Sequence, residues 1–368
     1  MEFAAAVLFP DLAGPHIARV RSGDLSDTHV RVKMKASGLC HTDMEIIDRS
    51  LSYPLPIILG HEGAGIVEEV GKSVTRVKPG DRVVISWSPN CAKCFYCDRE
   101  QPILCETLRQ TKADGALIDG TYPVALSEGS RRLNLFSNAS THAEYAVVPE
   151  DCAVLLNVDL PFEEACIIGC AVMTAYGAVM NFDGMERGDS VLIVGAGAVG
   201  LNLLQAARLK GASRLIATDI DDRKLEMART FGATHVINSA DPSALEQVKQ
   251  LTHGRGADVV YEAAGAEQAI QFALEGTRPG GRVLLLGKTA SNRMLPLRWG
   301  SIMGDKHIIR SSYGNARPWR DFPRIAREVE QGRLNIKDLI THRITLDRIN
   351  EGYDAMRTGD AIRAIITH

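Results

Sequence analysis

The stretch SVLIVGAGAVG (residues 190–200) decides how this chain is read. An unbroken apolar run, as in a strand buried on both faces, passes directly into Gly195-x-Gly197-x-x-Gly200 and then into a helical pattern, LNLLQAARLKG. A glycine triplet alone is a weak signal. Here a strand precedes it, a helix follows it, and the next strand, RLIATD, ends on Asp219. That context is the one a dinucleotide site requires. Gly195 makes the turn, Gly197 lets a pyrophosphate approach the backbone, Gly200 lets helix and strand pack, and the helix N-terminus favours the phosphates. Asp219 stands where an acid binds the adenosine ribose hydroxyls, and its charge opposes a 2′-phosphate, so NAD is expected. Lys224 is placed to reach the same ribose.

Working outward, the βαβα alternation continues through HVIN, ALEQVKQLT, ADVVYEAAG, QAIQFALEGT and GRVLLLG. It predicts an α/β, doubly wound parallel sheet over residues 172–312. Upstream the texture differs. Short β-like runs such as VRVKMKAS, GAGIVEEVG and GDRVVISW, punctuated by Gly and Pro, predict a β-rich part over 1–171, to which the chain returns over 313–368. A length of 368 residues suits two or three domains at about 150 residues each.

Apolar residues make up 45% and charged residues 24%, with a net charge of −3. This is a globular balance, without the basic field that nucleic-acid binding needs. The opening MEFAAAVLFPDLAG has no positive n-region, so no export signal is expected and the cytoplasm is the expected location. Ala165 to Phe182 carries no charge and raises the membrane question, but its glycines, Asn181 and two cysteines favour a buried core segment, and no membrane partner is expected. Eight cysteines in such a chain point to metal or catalysis rather than disulfides.

Four of them form Cys91-x2-Cys94-x2-Cys97-x7-Cys105. Four thiolates so close in sequence fit a closed tetrahedral zinc site. A ferredoxin-type iron–sulfur run is the competitor. It places its next Cys after three residues and then Pro, whereas here seven residues intervene and Glu106 follows. A second set is scattered: Cys40 in GLCHTD, His61 and Glu62 in GHEGAG, and Cys170 in IGCAVMTAYG. Two Cys and one His with a position left open is a catalytic zinc set, yet spacing alone does not distinguish it from ordinary core cysteines and a surface histidine.

These motifs, in this order and spacing, resemble the zinc-dependent medium-chain alcohol dehydrogenases from GLCHTD to INEGYDAMRTGDAIRAIIT, essentially the whole chain. The resemblance implies a GroES-like β-rich catalytic domain interrupted by a Rossmann coenzyme domain, with the active site between them. It implies two zinc ions per chain: a catalytic one on Cys40, His61 and Cys170, with Glu62 as an alternative ligand, and a structural one on the four clustered cysteines. It further implies that Asp43 orients His61, that Thr42 takes the substrate proton, that His41 and Arg363 meet the cofactor pyrophosphate, and that Thr174 and Val199 lie against the nicotinamide. Where well-known members end the proton relay on a histidine, this chain has Glu45.

The resemblance also implies the reaction: oxidation of an alcohol made acidic by a Lewis acid, with hydride passed to NAD. Trp87, Phe136, His142 and Met173 fall at substrate-pocket positions and suggest an apolar slot for an aromatic or allylic primary alcohol. The alternative is a thiol-adduct-dependent formaldehyde dehydrogenase, for which Arg109 stands at the anion-binding position, although no acidic partners appear between Asp48 and Ile58. A non-enzymatic relative would have lost part of the ligand set, which is complete here. A homodimer, or a tetramer of dimers, is expected from an edge strand near Met303 to Ile309.

Overall fold

The computed structural model describes residues 1–289 and 293–368. The chain divides into two compact units. One comprises residues 1–170, 317–330 and 336–368; the other comprises 171–316 and 331–335.

The first unit is built on two sheets. Five strands run in the order Val124–Leu126, His16–Ser22, Glu2–Leu8, Ile57–Ile58, Asn134–Leu135. Seven more form a second sheet centred on the long strand His29–Gly38, which pairs with Glu62–Val70, Tyr145–Pro149 and the C-terminal strand Arg363–Thr367. The sides of these strands alternate between core and surface, and Val30, Val32, Met34, Val67, Val83, Ile85 and Val148 interlock as one apolar layer. Register matters most at one end. Gly38 pairs with Glu62 on one side and with Ile365 on the other. The chain leaving Gly38 toward Cys40, the chain arriving through His61, and Arg363 at the start of the C-terminal strand are thereby brought to the same end of the sheet.

The second unit holds a six-stranded parallel sheet in the order His235–Asn238, Arg214–Asp219, Ser190–Val194, Ala257–Glu262, Thr277–Leu285, His307–Arg310. The central strand Ser190–Val194 is buried at every position, as its unbroken apolar run requires. Leu192, Val194, Ile216, Val260 and Val283 join Val248, Ile270 and Leu274 from the crossover helices in a single core. The helix Ala198–Lys210 stops at Gly211, whose φ of +94° closes the last turn in the left-handed region.

The boundaries differ from the expected ones in three places, the first by the single residue Ala171, which falls in the second unit. Residues 313–316 stay with the parallel sheet unit, because Gly314 packs so closely on Gly177 that its Cβ would lie 2.7 Å from Gly177 Cα, and Asn181 Nδ2 donates to Gly314 O at 3.1 Å. Residues 331–335 rejoin it through Gln205, which donates to Asn335 O and accepts from Asn335 N at 3.0 and 2.6 Å. No local sequence signal marks that short return. Among the described residues, one helical stretch, Phe162–Met180, is long and apolar enough to cross a membrane, and 72% of its apolar window is buried within the protein. It is a core helix.

Candidate active site and metal centres

The scattered set converges. Ligand atoms of Cys40, His61, Glu62 and Cys170 all lie within 4.8 Å of one another, in surroundings where Cys40, His61 and Glu62 are buried. Each is positioned by a local device. Cys40 is the N-cap of the helix His41–Ile47, and Asp43, at the third position of that helix, accepts from Cys40 N at 3.0 Å in a capping box. The other Asp43 oxygen accepts from Gly60 N at 3.2 Å and from His61 Nδ1 at 3.2 Å. One fully buried carboxylate therefore fixes two of the donors. Because it can only accept, it holds the proton on Nδ1 and leaves the His61 Nε2 lone pair for a metal. Cys170 sits in a π-helical turn, Ile168–Val172, inserted between the α-helices Phe162–Ile167 and Met173–Met180.

The electrostatics are those of a cation site. The Cys170 thiol hydrogen-bonds toward Cys40 and holds Cys40 well below the ordinary thiol range, while the same bond and burial push Cys170 up. Burial pulls the His61 imidazole down, but Asp43 and Cys40 outweigh it and hold it at about 10. Burial pushes the Glu62 carboxyl up to about 8, against the pull of the Arg363 guanidinium. Both Glu62 oxygens are buried with no hydrogen-bond partner among the described residues, and Arg363 Nη2 stands 3.3 Å from Oε1 as an ion pair. Thiolates, an imidazole and a carboxylate, crowded and under-satisfied, fit a zinc ion and the protons it would release on binding.

Arg363, expected at the cofactor pyrophosphate, is 4% exposed in the first unit, donates from Nη1 to Leu39 O at 2.8 Å and pairs with Glu62. Thr42 Oγ1 lies 3.8 Å from Cys40 Sγ, and Glu45 follows three residues on in the same helix, while His41 is exposed at the helix start.

The second cluster is local. Cys91, Cys94, Cys97 and Cys105 bring four sulfurs within 4.8 Å of one another. Cys97 Sγ is 3.5 Å from Cys94 Sγ and 4.0 Å from Cys91 Sγ. Four sulfurs about 2.3 Å from a common centre would stand about 3.8 Å apart, so this geometry suits tetrahedral zinc. Cys105 Sγ also accepts from Cys91 N at 3.4 Å.

Of the residues expected to line a substrate pocket, Phe136 is fully buried with its ring edge-to-face against His61, centroids 5.1 Å apart. Tyr53, which no motif marks, also packs edge-to-face on Phe136, again at 5.1 Å, its hydroxyl 3.4 Å from Ser137 Oγ. Trp87 carries the Lys112 ammonium over its face at 4.8 Å, so its surroundings are not purely apolar. His142 is 0% exposed, with Nε2 3.3 Å from Gly38 O and Nδ1 3.3 Å from the Tyr353 hydroxyl. Met173 is likewise fully buried in the second unit, its Cε facing Gly177. Arg109 is exposed on the helix Glu106–Ala113, 5.9 Å from the Tyr96 ring.

In the second unit Gly195 has φ +98° and Gly197 caps the helix that Val199 enters. A Cβ on Gly200 would overlap Gly195 O, which is the close helix–strand approach the third glycine exists for. Asp219 ends its strand; Oδ2 accepts from Ala196 N in the glycine turn at 2.8 Å and Oδ1 from Asp221 N at 3.1 Å. Lys224 lies in the following helix Asp222–Thr230, and Thr174 in Met173–Met180.

Two family descriptions match: "Alcohol dehydrogenase GroES-like domain" over residues 26–158 and "Zinc-binding dehydrogenase" over residues 198–331. The chain is 35% identical to the S-(hydroxymethyl)glutathione dehydrogenase of Paracoccus denitrificans over 347 residues, covering 92% of each protein. It is also 35% identical to the NDMA-dependent alcohol dehydrogenase of Amycolatopsis methanolica, covering 92% of this chain and 91% of that protein. Among solved structures, benzyl alcohol dehydrogenase from Acinetobacter calcoaceticus superposes with a TM-score of 0.92 at 30% identity, covering 100% of this chain and 99% of that one. With the two cysteine-bearing donor sets and the glycine-rich turn in place, the chain belongs to the zinc-dependent medium-chain alcohol dehydrogenase family.

Proposed function

We propose that this alcohol dehydrogenase oxidises an aromatic or allylic primary alcohol to the aldehyde, reversibly, with NAD. The observation that carries the substrate reading is the edge-to-face series His61–Phe136–Tyr53, an aromatic wall that starts on a ring of the donor set itself. The similarity to a benzyl alcohol dehydrogenase agrees with it.

Cys40, His61 and Cys170 would hold the catalytic zinc, with Glu62 as an alternative ligand, and Cys91, Cys94, Cys97 and Cys105 the structural one. When bound, zinc supplies Lewis acidity toward an alcohol oxygen and NAD supplies the hydride acceptor. The chain's own groups do the rest. Asp43 keeps the His61 proton on Nδ1 and ties Cys40 and Gly60 into one frame. Arg363 offsets the Glu62 charge, so that Glu62 stays near the donor set without dominating it. The Thr42 hydroxyl accepts the substrate proton, and Glu45 or water takes it onward. Gly195, Gly197 and Gly200 admit the pyrophosphate; Val199 and Thr174 face the nicotinamide, and Asp219 with Lys224 holds the adenosine ribose.

The competing reading, oxidation of a thiol–formaldehyde adduct, takes support from the Paracoccus relative and from exposed Arg109. Steady-state kinetics with ethanol, benzyl alcohol, cinnamyl alcohol and formaldehyde plus glutathione decide between them. The aromatic alcohols should exceed ethanol by roughly 10²-fold in kcat/KM, since each buried methylene is worth about 0.8 kcal/mol. A strict need for the thiol would reverse the assignment. Asp219 should make NAD the better cofactor by about 10²-fold over NADP.

We further infer work in the cytoplasm and assembly as a homodimer or a tetramer of dimers. The edge strand His307–Arg310 leaves Ile308 exposed, and Trp299 and Met303 are exposed nearby in sequence at 74% and 61%. An uncovered strand edge beside apolar side chains calls for a partner. Light scattering that finds a monomer at micromolar concentration would remove this inference.

A further inference from the structure

The parallel sheet consists of two mononucleotide-binding halves that meet between Ser190–Val194 and Ala257–Glu262. In the first half, Asp219 holds the glycine turn through Ala196 N. The second half contains a counterpart that no motif announces. Glu262 is the last residue of its strand and is 0% exposed. Its Oε1 accepts from Ala264 N at 2.8 Å and from Gly265 N at 2.6 Å, and its main-chain oxygen accepts from Leu286 N at 2.7 Å and Gly287 N at 3.0 Å. The ends of two neighbouring strands are thus clamped on one residue.

The clamp is tight. Gly265, at φ +75°, has no room for a Cβ beside Lys288 O, and a Cβ on Gly287 would lie 2.6 Å from Glu262 Oε2. That oxygen is buried with no hydrogen-bond partner among the described residues. The third strand end is tied in by Arg310, which donates to Leu285 O at 2.8 Å and opposes the Glu262 charge. Burying a carboxylate with one oxygen unsatisfied is costly, and a tie that served stability alone would be met as well by an apolar contact. Strand ends on this side of a doubly wound sheet are where the cofactor lies.

We propose that Glu262 is a positioning residue for the nicotinamide half of NAD: it fixes the turn 263–265 against 286–288, the backbone on which that half rests. The proposal rests on the NAD reading above. Its test is direct binding, read from NADH fluorescence and from calorimetry with AMP, which fills only the first half. Glu262→Ala and Glu262→Asp should each weaken NADH by about tenfold or more, the consequence of leaving the buried Gly265 N–H unpaired and the Ala264 N–H without its acceptor, and leave AMP within about twofold. Glu262→Gln keeps an acceptor for both amides and should recover NADH affinity to within about threefold. Should the alanine protein not fold, the Asp and Gln proteins carry the comparison. Equal loss of AMP and NADH, unchanged NADH binding in the Asp protein, or a Gln protein as weak as the Asp one would each overturn the proposal. Unaltered protein that binds AMP but not NADH would overturn the NAD reading with it.

Discussion

The two donor clusters of the first unit use the same element, sulfur, in opposite ways. Cys91, Cys94, Cys97 and Cys105 come from one short loop, three of them only partly buried, and form a set with no other ligand type. Cys40, His61, Glu62 and Cys170 come from a helix N-cap, the entry to a strand and a π-helical turn, and they meet because the register of a sheet and one buried carboxylate bring them together. The first cluster organises its own surroundings. The second is organised by everything around it. A loop that closes on a metal has its folding energy in the metal; a site assembled by a finished fold can lose the metal and keep its shape.

The sharpest way to break this contrast is Cys170→Ser. It should lower kcat/KM by on the order of 10³-fold, since several kcal/mol of charge stabilisation depend on that ion, while one zinc per chain remains and the melting temperature hardly moves. A large fall in melting temperature with Cys170→Ser would show that the scattered cluster also holds the fold together. Cys94→Ser should do the reverse: a loss of about 3 kcal/mol of stability, roughly 10 °C in Tm, with activity of the folded fraction retained. Metal analysis and thermal unfolding on the same samples check both. Asp43→Asn should cost about 10- to 100-fold in activity or metal affinity, because an amide can donate where Asp43 only accepts and releases the His61 tautomer. An unchanged enzyme would mean that the capping box alone positions Cys40.

The smallest effect concerns His142, the buried neighbour of this region. Burial lowers its imidazole below the ordinary 6.5. The unfolded chain then binds the proton more readily than the folded one. Stability is therefore complete above about pH 6.5 and falls as acid carries the pH down toward the folded value. Urea unfolding at pH 7.5 and 5.5 should show a smaller acid loss in His142→Asn than in the unaltered protein. Equal slopes would place the acid sensitivity elsewhere.

How much of this could be read from the chain follows from distance along it. The glycine turn and the four clustered cysteines carry their context in neighbouring residues, and both are legible without a fold. Cys40, His61 and Cys170 are legible only through the order of motifs over the whole length. The pairing of Glu62 with Arg363 is not legible at all, because it depends on the C-terminal strand lying beside Gly38. The surroundings of His142 are not legible either: Ser137, Asn138 and Ser140 all have positive φ, so the simple alternation of sides along an extended chain is lost just before it.

The π-helical turn that carries Cys170 constrains what this sequence can become. Each residue advances a helix by about 100°. The π-turn Ile168–Val172 spends about one residue more than an α-turn on the same revolution, so it holds an extra residue while the helix on either side keeps its phase. Deleting that residue would give an ordinary, smoother helix and remove the outward swell that carries Cys170; a further insertion would have no such turn to absorb it and would rotate the following half by about 100°. Length changes that a surface loop would absorb unnoticed are therefore ruled out here, where Gly169 already has Ile85 O only 2.7 Å from where a Cβ would stand. The irregular turn works as a phase lock. It lets the helix run on in phase while Cys170 is swollen out of line toward Cys40 and His61, and a sequence that smoothed the turn away would lose that placement of the sulfur.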